Sequence, residues 1–255
     1  MPLEIVTLPC LSDNYAYLLH DAGTGATAVV DVPDAAPIEA ALQDRGWQLT
    51  DILITHHHWD HVDGVETLRK ATGARVVGAA ADAHRLPPLD LAVAEGDTVT
   101  VGGETGTVID VSGHSLGHIA YYFPGSRAVF TADSLMALGC GRLFEGTPGQ
   151  MFDSLSKLVA LPADTLICSG HEYTLSNAKF AQTIDPDNPD LISRIEQVQK
   201  AREQGKATVP SLLSEELATN PFLRCHDPAI KASVGMIDAQ PSAVFAEVRK
   251  RKDNF

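Results

Sequence analysis

The stretch that most constrains this chain is the heptad Thr55–His61, with the sequence THHHWDH. It follows Asp51–Ile54, a short apolar run whose β-branched residues predict a buried strand. The heptad therefore begins at the carboxyl end of a strand, and the chain then turns into a helix. On extended backbone His56 and His58 face the same side, whereas His57 faces away. Any fold of this chain must accommodate clustered polar side chains beside a buried strand.

Further imidazole and carboxylate donors follow three other predicted strands: His114, Asp133 and His171. Open sheets commonly carry their sites on loops at strand ends, so we expect these side chains to meet the heptad. Packing gives no reason to crowd histidines and an aspartate beside a buried strand, because polar groups there need partners. The pattern predicts metal binding.

Seven donors suffice for two adjacent ions. They divide into two sets of three and a bridging carboxylate: His56, His58 and His114 for one ion, Asp60, His61 and His171 for the other, and Asp133 between them. Such ligands accept Zn²⁺, Fe²⁺ or Mn²⁺. We expect two divalent ions per chain, with zinc favoured over iron or manganese.

Composition narrows the function classes. The chain has 255 residues, 44% hydrophobic and 20% charged, as expected for one large globular domain or a domain with an appendage. Its formal charge of −14 argues against nucleic acid or an acidic membrane as the main partner. The four cysteines form no Cys-x-x-Cys pair, which predicts reduced, mostly buried thiols. The start of the sequence shows no basic leader or long apolar segment, so we expect a cytoplasmic protein. Separately, we expect a monomer that acts on a small molecule.

The pattern of predicted elements changes along the chain. Short strand-like runs dominate as far as Tyr173, with helical candidates over Ala36–Arg45, Val62–Thr72 and Gln150–Leu161. From Thr174 onward the strand signal fades and helical segments follow. We therefore predict two domains, residues 1–173 and 174–255. Strands covered by helices indicate a layered α/β fold, but periodicity alone does not distinguish its possible architectures.

The heptad, followed in order by His114, Asp133 and His171, resembles the metallo-β-lactamase superfamily. Five further segments resemble its glyoxalase II (hydroxyacylglutathione hydrolase) family: Asp13–Tyr15, Gly139–Thr147, Gly170–Thr174, Asn220–Arg224 and Arg249–Asp253. The resemblance spans nearly the whole chain. It implies an αββα sandwich that carries the metal centre, followed by a smaller helical domain that binds substrate.

The implied reaction is hydrolysis of S-D-lactoylglutathione to glutathione and D-lactate, the second step of methylglyoxal detoxification. Metal ions lower the pKa of bound water to about 7, so the expected nucleophile is a hydroxide that bridges the two ions. Asp60 and Asp133 are then the expected catalytic carboxylates.

The resemblance also implies a glutathione site, formed by Arg142, Phe144, Tyr173, Arg249 and Lys252. Between the last two, Lys250 and Arg251 are expected to be solvated. In the better-known members of the family, lysine, tyrosine and glycine stand where this chain has Arg142, Phe144 and Ala132. Arg142 keeps the positive charge of lysine but presents its donors in a different geometry, and Phe144 lacks the hydroxyl of tyrosine. Alanine before Asp133 predicts a backbone conformation that alanine tolerates.

Three other functions were weighed against glutathione thioester hydrolysis. A lactonase, β-lactamase or phosphodiesterase with the same metal pair is disfavoured by the basic terminus and the Gly139–Thr147 segment. A mononuclear-iron sulfur dioxygenase that acts on glutathione persulfide is disfavoured by the complete second ligand set. A non-enzymatic binding protein is disfavoured by seven intact donors.

Overall fold

The computed structural model describes residues 2–255, with strands and helices mixed up to β13 and helices dominant after it. The strands are β1 (Glu4–Cys10), β2 (Asn14–His20), β3 (Ala26–Val30), β4 (Gln48–Leu53), β5 (Arg75–Ala79), β6 (Leu91–Val93), β7 (Thr98–Val101), β8 (Glu104–Asp110), β9 (Ile119–Phe123), β10 (Ala128–Ala132), β11 (Leu135–Met136), β12 (Gly139–Cys140), β13 (Leu166–Ser169) and β14 (Ser211–Leu212). The helices are α1 (Ala35–Arg45), α2 (Trp59–Val62), α3 (Val65–Thr72), α4 (Pro148–Val159), α5 (Thr174–Ile184), α6 (Pro189–Glu203), α7 (Leu213–Thr219), α8 (Pro228–Ser233) and α9 (Pro241–Asp253).

The described residues divide into two units, each with its own dense set of contacts. Unit 1 comprises the chain up to Val111 together with Ser115–Ala132. Unit 2 comprises Ser112–His114 and Asp133–Phe255. The functional boundary after residue 173 stays a prediction.

The first sheet of unit 1 has the strand order β1-β2-β3-β4-β5-β6. Its first three strands are antiparallel, whereas β3 to β6 run parallel. In the register of β3 with β4, Val30 lies opposite Leu53. The next residues, Asp31 and Ile54, therefore leave the sheet at the same edge, where the heptad begins.

A hydrophobic core joins this sheet to helices α1 and α3. Its fully buried members include Leu18 and Ile52 from the strands and Ile38 and Leu68 from the helices. Asp34 caps α1, because its carboxylate accepts a hydrogen bond from the backbone N–H of Ala36 at 3.1 Å. The helices therefore cover one face of the sheet.

A second sheet of unit 1 contains antiparallel strands in the order β10-β9-β8-β7. Tyr17 of the first sheet meets Phe130 of the second edge to face, with ring centroids 5.6 Å apart. The hydroxyl of Tyr121 donates to the carbonyl of Ile54 at 2.8 Å. Burial, with a contribution from Asp31, raises the pKa of Tyr121 well above its usual value, so the phenol stays a donor. Unit 1 is thus layered as helices, sheet and sheet.

Unit 2 is mainly helical, and a buried carboxylate organises part of it. Glu216 accepts hydrogen bonds from Ser211 Oγ at 2.7 Å and from Asn220 Nδ2 at 3.0 Å, and it pairs with Arg194. It also accepts from the backbone N–H of Leu138 at 2.8 Å, in the turn between β11 and β12. The β11–β12 hairpin, which leads into the Gly139–Thr147 segment, is thereby tied to α7.

One predicted helix is interrupted. A single helix was predicted over Val62–Thr72, but the structure has α2 and α3 with a break at Gly64. A Cβ at Gly64 would lie 2.7 Å from both the backbone nitrogen of Ala35 and a methyl carbon of Val32. The close approach of α1 and its preceding loop explains the break. The cysteines, in contrast, are buried thiols as predicted.

Within residues 2–255, each helix is too short or too polar to traverse a lipid bilayer.

Replacement of Tyr121 by phenylalanine tests the contact between the sheets of unit 1. We expect Tyr121→Phe to lower the free energy of unfolding by about 1 kcal/mol, because a buried hydrogen bond is lost. Tyr122→Phe is the matched control, since Tyr122 points to the opposite face of β9 and is half-buried. Urea denaturation measures both variants. Equal losses in the two would contradict a special role for the Tyr121 hydroxyl.

Candidate functional site

The heptad gathers its donors within unit 1, as predicted. Nε2 of His56 lies 3.1 Å from Nδ1 of His58, and the rings of His56 and His61 are 4.2 Å apart. The carboxylate of Asp60 lies 3.9 Å from Nε2 of His61. His56 and His61 are fully buried. Imidazole nitrogens that converge in this way have the spacing of ligands around a small ion.

Asp31 orients this cluster and was missed by the sequence analysis. Its carboxylate accepts from the backbone N–H of Thr55 at 2.8 Å and from the Thr55 hydroxyl at 2.7 Å. It also lies 2.8 Å from Nδ1 of His61. Because Nδ1 of His61 is held by a carboxylate, Nε2 is left to bind a metal. The available signal was a carboxylate at the end of the strand-like run Thr27–Asp31.

Asn14 holds the neighbouring carboxylate. Its amide donates to Oδ2 of Asp60 at 3.1 Å and to the backbone carbonyl of Asp60 at 3.0 Å. Asn14 itself is buried at the start of β2. This contact gives a physical role to the Asp13–Tyr15 segment on which the family resemblance partly rested.

The other aromatic residues of the heptad differ in their surroundings. Nδ1 of His57 lies 3.2 Å from the buried carboxylate of Asp82, and the His57 ring meets that of His58 with centroids 4.7 Å apart. Trp59 is 64% exposed. It is the first residue of the short helix α2, and its ring projects into solvent. The ring of His118 stacks on that of His56, with centroids 4.6 Å apart.

Unit 2 brings its three predicted ligands together. Oδ2 of Asp133 lies 3.4 Å from Nε2 of His114 and 3.3 Å from Nε2 of His171. Nδ1 of His114 is bonded to the carbonyl of Arg142 at 2.7 Å, which fixes the ring with Nε2 toward the carboxylate. All three ligands are buried. A carboxylate oxygen between two imidazoles has the arrangement expected of a bridging ligand.

Gly141 permits this arrangement. A Cβ at position 141 would lie 1.8 Å from the carbonyl oxygen of Asp133 and 3.1 Å from Nδ1 of His114. Its own N–H donates to the carbonyl of Ser134 at 3.0 Å. Only a residue without a side chain allows the backbone to pass this close to two predicted ligands.

Ala132 departs from the prediction made for it. We expected an ordinary backbone conformation, but Ala132 has φ +40°, in the left-handed region. Glycine, which better-known relatives have here, adopts this region without steric cost, whereas a side chain of alanine is strained by about 1 kcal/mol. The chain therefore accepts strain at the residue before Asp133.

The predicted glutathione-site residues all lie in unit 2, and Arg249 is the most enclosed of them. It is 5% exposed, and its guanidinium lies over the ring of Phe222 at 5.3 Å. Nη1 donates to the carbonyl of Cys140 at 3.0 Å, and Nη2 lies 2.8 Å from Asp253. The side chain of Arg142 is 59% exposed, with Nε 3.7 Å from the same carboxylate of Asp253. Two predicted cations therefore share one acidic residue.

Lys252 lies on the same helix, α9. Its ammonium is 5.2 Å from the rings of both Phe180 and Phe255 and 3.4 Å from the carbonyl of Ser176. Burial lowers the pKa of Lys252, and the charge of Arg249 lowers it further. Lys252 is thus a partly desolvated cation, well suited to an anionic partner.

The remaining predicted contacts are aromatic. Tyr173 stacks on His171 with centroids 4.7 Å apart, and Phe144 meets His114 edge to face at 5.2 Å. Phe144 is 62% exposed, so its ring is available to a ligand. On α9, Lys250 is solvated as expected, whereas Arg251 donates to the carbonyl of Val234 at 2.9 Å and pairs with Glu247.

The donor chemistry of both units suits divalent transition metals. Unit 1 offers His56, His58, Asp60 and His61, and unit 2 offers His114, Asp133 and His171. Imidazole and carboxylate are the ligands that Zn²⁺, Fe²⁺ and Mn²⁺ accept, and two of the imidazoles have their second nitrogen fixed by a hydrogen bond. The residues present fit a metal centre.

Both parts of the chain match models of known protein families. Residues 13–171 match the model of the metallo-β-lactamase superfamily, and residues 172–255 match that of the hydroxyacylglutathione hydrolase C-terminus. A hydroxyacylglutathione hydrolase of Cereibacter sphaeroides, strain ATCC 17025, is 67% identical over the full length of both chains.

Solved structures have the same fold. The crystal structure of ETHE1 from Myxococcus xanthus has a TM-score of 0.65 and 25% identity, and the match covers 99% of this chain and 98% of that one. A di-iron-bound form of TTHA1623 has a TM-score of 0.60 and 28% identity, with 86% and 100% covered. The predicted metallo-β-lactamase fold with a helical C-terminal region is confirmed.

Gly141→Ala tests the close approach at the predicted ligands of unit 2. We expect the free energy of unfolding to fall by about 1–3 kcal/mol, because the added Cβ forces the backbone of Asp133 to move. Gly149→Ala, on α4, is the control: a Cβ there would approach only the Thr147 hydroxyl, at 3.9 Å. Thermal unfolding compares the two, and similar melting temperatures would contradict the crowding.

Proposed function

Because this chain belongs to the hydroxyacylglutathione hydrolases of the metallo-β-lactamase superfamily, we propose that it hydrolyses S-D-lactoylglutathione with two metal ions held by the seven predicted donors. The enzyme class and the thioester reaction follow from family membership. The residue assignments are our own. His56, His58 and His114 would hold one ion, Asp60, His61 and His171 would hold the other, and Asp133 would contribute to both.

The observation that carries the assignment is the position of the Asp133 carboxylate in unit 2. One of its oxygens lies within 3.4 Å of Nε2 of His114 and of His171. These two histidines are predicted to bind different ions, so a carboxylate between them has a partner on each side. In unit 1, the grouping of His56 with His58, and of Asp60 with His61, supports the same division.

When bound, the two ions would acidify a water molecule and polarise the thioester carbonyl. Zinc is the metal we propose, and the di-iron form of TTHA1623 makes iron the first alternative. The chain's own contribution is to orient the donors. Asp31 holds Nδ1 of His61, the Arg142 carbonyl holds Nδ1 of His114, and Asn14 holds one oxygen of Asp60.

Substrate binding rests on the cations of unit 2. Glutathione carries two carboxylates, and this acidic protein concentrates Arg142, Arg249 and Lys252 between the β12 hairpin and α9. Arginine can bind a carboxylate through two parallel hydrogen bonds. Phe144 and Tyr173 are exposed enough to contact the peptide. Because the departing thiol has a pKa of about 8.5, no strong general acid is required.

Replacement of the bridging carboxylate tests the metal centre. We expect Asp133→Ala to lower metal content and to reduce hydrolysis of S-D-lactoylglutathione at least about a hundredfold, because both ions lose a ligand. Asp153→Ala, which removes an exposed carboxylate from α4, is the control and should retain metal and rate. Elemental analysis and a thioester assay measure both. Full metal occupancy and full turnover in Asp133→Ala would refute the assignment.

The substrate site has its own test. Arg142→Ala combined with Lys252→Ala should raise KM about tenfold or more with a smaller effect on kcat, since uniform substrate binding is lost. Lys250→Ala is the control, because Lys250 is a solvated lysine on the same helix. Steady-state kinetics with S-D-lactoylglutathione compares the double variant and Lys250→Ala with the wild type. An unchanged KM in the double variant would remove these residues from the site.

The cytoplasmic location and the monomeric state stay predictions.

A further inference from the structure

Asp253 lies between two of the cations assigned to the substrate. One of its oxygens is 2.8 Å from Nη2 of Arg249 and 3.7 Å from Nε of Arg142. In the pair with Arg249, the arginine side chain is buried, whereas the side chain of Asp253 is 34% exposed. A carboxylate in this position faces both of the guanidinium groups that are proposed to bind a substrate carboxylate.

Arg249 has two further contacts besides Asp253. Its Nη1 is bonded to the carbonyl of Cys140, and its guanidinium packs on the ring of Phe222. Nε of Arg249 is buried and has no hydrogen-bond partner among the residues that the structure describes. The guanidinium is therefore held by two other groups and retains an unused donor.

The charges of this cluster favour an exchange of partners. Two arginines and one carboxylate sum to one positive charge, so an incoming anion is attracted but competes with Asp253. A buried guanidinium without a counter-charge is costly, and Asp253 supplies one while the site is free. Asp253 is the last residue of α9, where helix ends fray, so it can move into solvent when another carboxylate arrives.

We propose that Asp253 is an internal substitute for a substrate carboxylate: it pairs with Arg249 and Arg142 in the free enzyme and is displaced when a glutathione thioester binds. The inference rests on the proposed function, because it takes the two arginines as substrate contacts. Asp253 thereby lowers the affinity for the glutathione thioester, because it must be displaced before the substrate binds. In the free enzyme it keeps the two guanidinium groups paired with a carboxylate.

The substitution Asp253→Asn isolates the charge, because asparagine keeps an oxygen that can accept from Arg249. Glu247→Gln is the matched control, since it removes one negative charge from the same helix at a residue paired with Lys250 and Arg251. The probes are glutathione, with Kd from calorimetry, and S-D-lactoylglutathione, with KM and kcat from steady-state kinetics.

We expect Asp253→Asn to lower both Kd and KM about two- to fivefold in dilute buffer, which is the scale of a partly exposed charge interaction. The gain should shrink in 0.5 M salt, because screening weakens the attraction. Glu247→Gln should change neither constant. Unchanged or weaker binding in Asp253→Asn would overturn the inference and make Asp253 a structural partner of Arg249.

A third variant separates failure of this inference from failure of the proposed function. Arg142→Gln should raise KM if Arg142 binds substrate. If Arg142→Gln raises KM and Asp253→Asn does not lower it, the substrate site stands and the role of Asp253 is wrong. If neither variant changes KM, the assignment of these residues to the substrate fails as well, and the inference falls with it.

Discussion

The carboxylate of Asp31 is the interaction on which the histidine cluster of unit 1 depends. It accepts hydrogen bonds from the backbone and hydroxyl of Thr55 and contacts Nδ1 of His61, all within 2.8 Å. A carboxylate this deeply buried would be destabilising without several donors around it. Here the donors are the first and last residues of the heptad, so satisfying Asp31 also fixes the loop between them and the orientation of His61.

A buried acid also organises the backbone near the predicted substrate site in unit 2. Glu216 is fully buried and satisfied by Arg194, Ser211, Asn220 and the backbone of Leu138. That last bond holds the turn of the β11–β12 hairpin. Gly141, just beyond the hairpin, can then approach the carbonyl of Asp133. In each unit a buried acid inside a hydrogen-bonded network sets the backbone from which the functional side chains project.

The candidate ligands could be proposed from sequence because their chemistry is local. Four donors within the heptad, at the end of an apolar strand, predict a metal site even when the fold is not known. Asp31 and Asn14 were not found, since each acts through a partner at least 24 residues away. The left-handed conformation of Ala132 and the break at Gly64 were also missed, because they depend on what the backbone meets in three dimensions.

The family resemblance supplied what local patterns could not: the fold, the reaction and the cations near the end of the chain. It could not supply the pairing of those cations, which became visible only when Asp253 was found between Arg142 and Arg249. The most direct test of the dinuclear centre is anomalous X-ray scattering from crystals of metal-loaded protein. Two peaks are expected, one beside His58 and one beside His171, with Asp133 contacting both; a single peak, or none, would contradict it.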